Sequence, residues 1–215
     1  WCYQEGRLAR RVVHFQIDEV SYDCIKEAEC HCGYWGPSGR KYGINAWYKT
    51  LPDNMCTLKD KYTLWRNTVT MYSERRLTFL SDKFPAFSAL ARQFDCSVGN
   101  PNEGQSLPTE ESRMFREIDL GEYVAGFWSN FLMQDLYWFA NFSPGVRTST
   151  ASNYVAPSWS WASVTGSVNW VTKGALDAVL VHVHHVLAGP DKFGQLAYAE
   201  LVLEAKIIPV SLCWE

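Results

Sequence analysis

The fold is decided by the stretch Ala156-Pro157-Ser158-Trp159-Ser160-Trp161-Ala162-Ser163-Val164. Proline cannot donate to a strand ladder, so Pro157 suits the first residue of an edge strand. The residues after it predict a strand with Trp159 and Trp161 on one face, because successive side chains of a strand point to opposite faces. A Thr-Gly-Ser turn and a returning strand are predicted over residues 165–171. Two tryptophans on one face would bury a large apolar area and set the register of the sheet.

Upstream of this stretch, apolar residues recur at helical spacing. Residues 58–76 predict a helix with one apolar stripe, because aromatic and aliphatic residues return at steps of three and four. Residues 82–94 predict a second helix, in which Ser81 or Asp82 is the N-cap and Pro85 lies in the first turn. The first prediction rests on periodicity, whereas the second combines periodicity with a start signal.

The most hydrophobic segment, residues 121–139, predicts a third and central helix that buries Trp128. Period-two patterns then predict two long strands over residues 178–186 and 196–210, joined by a connection that opens with Gly-Pro-Asp. Helices followed by antiparallel strands define the α+β class. The predicted architecture is a helical bundle segment followed by an antiparallel β-sheet.

The beginning of the chain is less regular. Residues 1–11 predict the end of a helix, residues 12–15 and 20–24 predict short strands, and residues 25–56 give mainly loop signals. The first residue is tryptophan and not methionine. We therefore expect the chain to be a piece of a longer polypeptide, in which case its start says nothing about a signal peptide.

Composition limits the classes of function. The chain has 20 basic and 23 acidic residues and a net charge of −3, which is not the footprint of a nucleic-acid-binding protein. No apolar run approaches the roughly 18 residues of a membrane-spanning helix. Seven cysteines, an odd number, favour reduced thiols in a cytoplasmic protein over a disulfide framework. The ten tryptophans predict either a core built from rings or an exposed aromatic platform for sugars.

Two groups of residues contain metal-ligand types. Cys24, Cys30 and Cys32, with His31 between the last two, are the nearest approach to a zinc site, but three adjacent side chains do not easily turn onto one ion and paired C-x-x-C motifs are lacking. His182 and His184 lie two residues apart on a predicted strand, and such a pair can chelate a metal ion. A half-exposed strand face is the favoured explanation of the two histidines, and the sequence implies no cofactor.

Acid–base chemistry has one candidate. Glu5, close to Trp1 and Gln4, would be a general acid or base if it were buried, whereas a surface glutamate on a helix is the commoner case. Asp82 is better explained as a helix cap, with Arg76 as its partner in a structural ion pair. The chain contains no phosphate-binding glycine loop, no G-x-S-x-G segment and no H-E-x-x-H helix.

Several segments resemble, in order, those of the fungal heterokaryon-incompatibility (HET) domain proteins. Trp1-Cys2-Tyr3-Gln4-Glu5 with Leu8 and Arg11 resembles the W-x-x-Q-E-x-x-L-x-x-R segment that closes the HET domain, and Tyr22-Asp23-Cys24 resembles the strand after it. Tyr72-Ser73, Arg76-Leu77-Thr78 and Asp82-Lys83-Phe84-Pro85-Ala86-Phe87-Ser88 resemble the family's linker. Tyr123-Val124-Ala125-Gly126-Phe127-Trp128 is similar to "Y-x-AG-x-W". The stretch that opens this section is similar to "APSWSWAS", and residues 194–210 resemble the closing strand.

The resemblance implies a fungal protein whose intact form triggers growth arrest or cell death after non-self recognition. It implies that residues 1–56 are the tail of the HET domain and an irregular connection, residues 57–155 a mainly helical region, and residues 156–215 a sheet packed on the helices. The bulk of the HET domain would lie upstream. The motif residues Trp1, Gln4, Arg76, Asp82, Pro85, Gly126, Trp128, Pro157, Trp159 and Trp161 are expected to be structural.

Three functions stay open. The first is a structural or regulatory region that acts through protein partners, with no nucleic acid, no membrane and an unknown small-molecule ligand. The second is the tail of a TIR-like effector that hydrolyses NAD, with Glu5 as the acidic residue inside a family motif; this chain alone would not be catalytic. The third is a carbohydrate-binding module that stacks sugars on Trp159, Trp161 and Trp170, which requires those rings to be exposed.

Overall fold

The computed structural model describes residues 2–9, 11–15, 17, 20–24, 28–30, 57–97, 117–141, 154–171, 177–207, 209 and 211, with backbone alone at residues 2, 23, 24 and 28–30. These residues form a mixed α+β structure with small antiparallel ladders and no large single sheet among them. The chain groups into two compact units, Trp1–Thr68 with Ala86–Leu120 and Val69–Pro85 with Gly121–Glu215. The three-part division drawn from the sequence stays a prediction.

The first unit opens with a short helix and a three-stranded antiparallel sheet. Its elements are α1 (Cys2–Leu8), β1 (Arg11–Phe15), β2 (Val20–Cys24) and β3 (Ala28–Cys30), in the sheet order β1-β2-β3. The helix end and the first two strands confirm the predictions for residues 1–24. The third strand lies where the sequence gave mainly loop signals, and it pairs antiparallel with β2.

Helix α2 (Leu58–Ser73) confirms the helix predicted over residues 58–76, although it ends three residues earlier. Its start is a reciprocal cap. The Thr57 N–H donates to Asp60 Oδ2 at 3.2 Å, and the Asp60 N–H donates to Thr57 Oγ1 at 3.2 Å. The cap satisfies two donors at the helix N-terminus. In the first unit Trp65, at 0% exposure, packs on Phe87 and Phe94 with ring centroids 5.4 and 5.2 Å away.

The helix predicted over residues 82–94 is shorter than expected. A 3₁₀ helix spans Leu80–Asp82, turns follow, and α3 spans Ser88–Phe94. Pro85 therefore precedes the helix and Asp82 is not its cap; the N-cap position is Phe87, which makes no side-chain cap hydrogen bond. The physical reason is Pro85, because a proline disfavours helical geometry in the residue before it.

The helix predicted over residues 121–139 is wrong. The second unit has a hairpin there, with β4 (Tyr123–Val124) paired to β5 (Phe127–Trp128), then a 3₁₀ helix (Ser129–Phe131), α4 (Leu132–Asp135) and β6 (Trp138–Ala140). The turn decides the outcome. Ala125 and Gly126 have φ angles of 48° and 94°, and positive φ at both central residues is the geometry of a type I′ hairpin.

The strand predicted from Pro157 through Trp161 is also wrong. The segment turns, with the Ser160 N–H donating to the Pro157 carbonyl at 2.9 Å, and continues as a 3₁₀ helix over Trp161–Ser163. Ser160 Oγ accepts a hydrogen bond from the Ala162 N–H at 3.1 Å, so the serine caps this helix. Serine side chains that bond nearby backbone compete with strand ladders, which explains the difference.

Three further strands complete the second unit. Strand β7 (Val168–Trp170) confirms the predicted returning strand, but it pairs with β6 and not with the tryptophan stretch. Strands β8 (Ala178–Leu187) and β9 (Leu196–Ala205) form a long antiparallel hairpin, as predicted. The described strands thus form separate ladders in place of the single sheet expected for residues 156–215. Within the described residues, the helices are too short or too polar to cross a bilayer.

Candidate functional site

Two of the motif segments meet in the second unit, at the indole of Trp161. This side chain has 0% exposure, and its Nε1 donates a hydrogen bond of 2.7 Å to the Gly126 carbonyl. The neighbouring Ser160 donates from Oγ to the Ala125 carbonyl at 2.6 Å. Two consecutive residues of the tryptophan stretch therefore hold both central residues of the β4–β5 turn. Buried hydrogen bonds of this kind are costly to leave unmade, so they fix the two segments together.

Glycine is required at position 126 for two independent reasons. Its φ of 94° lies in the left-handed region that side chains disfavour. A Cβ atom built there would also lie 2.5 Å from Trp161 Nε1 and 3.3 Å from a ring carbon of Phe84. The close approach of backbone to indole is what allows the hydrogen bond from Trp161, so the "AG" of the motif serves both the turn and its contact.

Lys83, from the linker motif, buries its amine against the same indole. The residue is 4% exposed, its Nζ donates to the Val164 carbonyl, and Nζ lies 5.6 Å from the centroid of the Trp161 ring. Burial lowers the pKa of Lys83 from its ordinary value of 10.5 to about 8, because the charged form is poorly solvated there. The Tyr72 hydroxyl donates to the Lys83 carbonyl at 2.8 Å and fixes the backbone of this residue.

Aromatic rings frame this arrangement. Tyr72 and Phe84 each meet Trp161 edge to face, with ring centroids 6.2 Å apart in both pairs. Trp159 stacks on Phe127 at 6.1 Å with an angle of 22° between the ring planes. Edge-to-face and offset stacked geometries are the favourable ones for aromatic pairs. We call Tyr72, Lys83, Phe84, Gly126, Ser160 and Trp161 the indole cluster.

The residues at the open end of the β4–β5 hairpin, Tyr123 and Trp128, are also buried. Tyr123 and Trp128 are directly opposite in register, and their rings meet at 5.3 Å. Phe193 closes the group at 5.1 Å from Tyr123. Burial raises the pKa of Tyr123 well above its usual range. The expected burial of Trp128 is therefore confirmed at 1% exposure, although it lies on a strand and not on a helix.

In the first unit, Gln4 supplies the missing cap of α3. Its Oε1 accepts a hydrogen bond of 3.1 Å from the Ala89 N–H, in the first turn of the helix. An amide oxygen in this position satisfies one of the donors that every helix leaves unpaired at its start. The glutamine of the W-x-x-Q-E segment is thus explained by packing between α1 and α3, two elements of the same unit.

Replacing Gln4 by alanine should destabilise the protein by about 0.5–2 kcal/mol, the usual cost of removing an N-cap. Glu5→Ala is the matched control, because Glu5 is exposed on the same helix. Urea denaturation followed by circular dichroism measures both. If the two variants lose the same free energy of unfolding, the contact with Ala89 does not stabilise α3.

A second buried lysine lies in the first unit. Lys61 has 0% exposure, and its Nζ donates to the Ile118 carbonyl at 2.6 Å. Burial lowers its pKa from 10.5 to about 8, against opposing charge effects from Cys96, Asp119 and Asp95. The exposed, free thiol of Cys96 has a raised pKa, first through desolvation and then through a hydrogen bond with Asp119. A raised pKa lowers the fraction of thiolate, the nucleophilic form of cysteine, at neutral pH.

Of the remaining sequence candidates, His182 and His184 are neighbours on β8, whereas the acidic and ion-pair candidates are not brought together. Glu5 is exposed on α1, so its carboxylate is not desolvated as a buried acid would be. Arg76 and Asp82 are both described, and no ion pair joins them. Trp1 and Cys32 lie outside the described residues, as do the side chains of Cys24 and Cys30. In the part of the chain that is described, no group of three or more His, Cys, Asp and Glu side chains could hold a metal ion.

Sequence reasoning missed the two buried lysines. Lys83 sits in the apolar run Lys83-Phe84-Pro85-Ala86-Phe87, and Lys61 lies in α2 between turns that carry the apolar stripe. A lysine inside an apolar stripe is the available signal, because lysine is rarely buried without a partner. The partners found here are backbone carbonyls, which leave no trace in a sequence.

Comparison with known proteins adds no assignment. No protein-family model matches the chain, and neither a curated protein nor a solved structure matches it with statistical significance. The resemblance to HET proteins therefore rests on the motif segments themselves. Among the described motif side chains, Lys83, Trp128, Ser160 and Trp161 are buried, and Ser160 and Trp161 donate to backbone carbonyls.

Proposed function

We propose that this chain belongs to a fungal HET-domain protein of heterokaryon incompatibility and cell death, in which it is a structural and regulatory region acting through protein contacts. The observation that supports this most is the indole cluster. Segments that match the family's linker, "Y-x-AG-x-W" and "APSWSWAS" are separated along the chain, yet their motif residues bond to one another in the second unit. Motif residues that build a shared core have a packing role, and this leaves the surface for partners.

The surface that this scaffold carries is the β8–β9 hairpin. Its apolar side chains Val179 and Val181 are 65% and 60% exposed, and Val202 is 45% exposed. Exposed apolar residues grouped on one element are a common mark of a protein interaction site. A cytoplasmic location is part of the proposal, because the exposed thiol of Cys96 is free, as is usual for proteins kept in reducing compartments.

The rings that a carbohydrate-binding module would use are buried or half-buried. Trp161 is fully buried, and the indole N–H of Trp170 donates to the Asp135 carbonyl at 3.2 Å. Trp159 is half-buried with one face on Phe127. These positions favour the interaction region over the module.

The test is expression of the full gene product in a filamentous fungus from an inducible promoter, with dead hyphal compartments counted by dye uptake. We expect the wild type to kill cells. The double variant Val179→Ser/Val181→Ser should lower killing at least tenfold at an unchanged melting temperature, because it removes contact surface and not core. The double variant Asp177→Ala/Lys206→Ala is the matched control, since it removes an exposed ion pair of the same hairpin; it should kill like the wild type.

Three results would contradict the proposal. These are a wild type that does not kill cells, two double variants that kill to the same extent, and killing that depends on NAD cleavage alone. The last outcome is measured as nicotinamide release by the full protein with and without Glu5→Gln. Loss of both release and killing in that variant would favour the NAD-hydrolysing alternative.

A further inference from the structure

One face of the β8–β9 hairpin brings two imidazoles and a carboxylate together. In the register of the ladder His184 is opposite Glu200, His182 is opposite Val202, and His185 is opposite Ala199. Residues directly opposite each other share a face, so His182, His184 and Glu200 lie on one face and His185 lies on the other. The sequence predicts that the first two histidines share a face, and the ladder confirms it.

The two imidazoles are already arranged as neighbours. Their ring planes are 11° from parallel and their centroids are 6.2 Å apart. Both side chains are exposed, so an ion can reach them from solvent. If one nitrogen of each ring lies about 2.1 Å from a shared ion, with a bond angle of about 90–110°, the centroids are about 4.5–5.3 Å apart. Binding therefore requires the rings to approach by about 1 Å and at least one of them to turn out of the parallel arrangement, so that both lone pairs point at the ion. The exposed side chains can make this change, because exposed rotamers interconvert on the ps–ns timescale.

Glu200 adds a fixed negative charge beside this pair. Its Oε1 lies 3.8 Å from His182 Nε2, and its Oε2 accepts a hydrogen bond of 2.6 Å from the Tyr198 hydroxyl. A carboxylate held next to a histidine is the usual partner that orients an imidazole ligand or a metal-bound water. The Tyr198 hydroxyl keeps the carboxylate in place. Tyr198 and Glu200 both lie on β9, the strand that pairs with β8.

We propose that His182 and His184 form a two-imidazole site for a divalent transition-metal ion of the Ni²⁺, Cu²⁺ or Zn²⁺ class. Imidazole nitrogen is a good ligand for these ions, whereas Mg²⁺ and Ca²⁺ prefer oxygen ligands. Water molecules complete the coordination of the ion, and Glu200 accepts hydrogen bonds from metal-bound water or from a bound imidazole. This site lies on the same hairpin as the proposed interaction surface, but its test is metal binding by the purified chain, which can fail or succeed whatever the outcome of the cell-death experiment.

The experiment is calorimetric titration of the purified chain with Ni²⁺ in a buffer that does not chelate. His182→Ala and His184→Ala should each weaken binding at least tenfold, and Glu200→Gln should weaken it severalfold. His185→Ala is the matched control, since it removes an imidazole next in sequence but on the opposite face, and it should bind within twofold of the wild type. The melting temperatures of the metal-free His182→Ala and His184→Ala variants should equal that of the wild type, because both side chains are exposed.

A spectroscopic readout separates this site from thiols elsewhere in the chain. Substoichiometric Ni²⁺ is paramagnetic and should broaden the imidazole proton signals of His182 and His184 before those of His185. The proposal is overturned if His185→Ala weakens binding as much as the other two histidine variants, if those two bind like the wild type, or if the three imidazoles broaden together.

Discussion

Replacing Trp161 by alanine should lower the free energy of unfolding by about 3–5 kcal/mol, which is the usual cost of truncating a buried tryptophan. The ring has 0% exposure and packs against Tyr72 and Phe84. Its removal also leaves the Gly126 carbonyl without its donor and removes the π-face beside Lys83. Loss on this scale is a large share of the stability of an ordinary domain, so we expect a clearly lower melting temperature for the variant.

Two variants separate the contributions. Trp161→Phe keeps an aromatic ring but cannot donate to Gly126, so its loss should fall between zero and that of the alanine variant. Trp159→Ala is the control from the same stretch, because Trp159 is half-buried and should cost less. Urea denaturation followed by circular dichroism measures all three. An alanine variant at position 161 that loses less than about 1 kcal/mol would show that the indole cluster does not hold the unit.

The elements that sequence predicted well are those whose signal is local and long. Helix α2 carries an apolar stripe in its sixteen residues, and a reciprocal cap joins Asp60 to Thr57, the residue just before the helix. The hairpin β8–β9 carries period-two patterns of ten residues in each strand. In both cases the periodicity and the boundary signals agree, and neither depends on a distant partner.

The helix prediction for residues 121–139 failed because the local signals in this segment are short. Their strands are two or three residues long, so no period can be read from them. The high content of large apolar residues then suggests a buried helix, which periodicity cannot distinguish from short strands. The available signal was the pair Ala125-Gly126 between aromatic and β-branched neighbours, because glycine in a two-residue connection favours a tight hairpin.

The strand prediction for the tryptophan stretch failed because its serine side chains form hydrogen bonds with nearby backbone groups. Alternation of small and large residues predicts a strand only if the backbone is free to pair. Here Ser160 caps a 3₁₀ helix and Ser163 donates from Oγ to the Ser160 carbonyl at 2.7 Å. Local hydrogen bonds of this kind compete with strand pairing for the backbone groups.

The sites depend on contacts that no local pattern records. Gln4 and Ala89 are 85 residues apart, and Lys83 and Val164 are 81 residues apart. The histidine face shows the same limit, because His182 and His184 were visible as a pair but Glu200 joins them only through the register of the hairpin. The sequence indicates which residue types could bind a metal ion, whereas the register of the β8–β9 ladder is needed to identify their neighbours.

The stability of this protein should rise as the pH increases from 7 to 9, by about 2 kcal/mol in total from Lys83 and Lys61. Both lysines have a pKa of about 8 in the folded state and 10.5 when unfolded. Above pH 8 the unfolded chain therefore binds more protons than the folded chain, and stability rises with pH. The folded lysines begin to lose their protons near pH 7, and below that pH both states carry the charge, so its desolvation is a constant cost to folding. Chemical denaturation at fixed pH values measures the slope.

Lys83→Met should remove about half of this rise, and Lys83→Met with Lys61→Met should remove most of it. Lys206→Met is the control, since its side chain is 82% exposed, and its slope should equal that of the wild type. Tyr123 and Cys96 act in the opposite direction, because their raised pKa values make the folded chain hold protons that the unfolded chain releases above about pH 9. The rise should therefore flatten beyond pH 9. A wild-type stability that falls between pH 7 and 9, or a Lys83→Met slope equal to that of the wild type, would show that these amines are not desolvated in the folded protein.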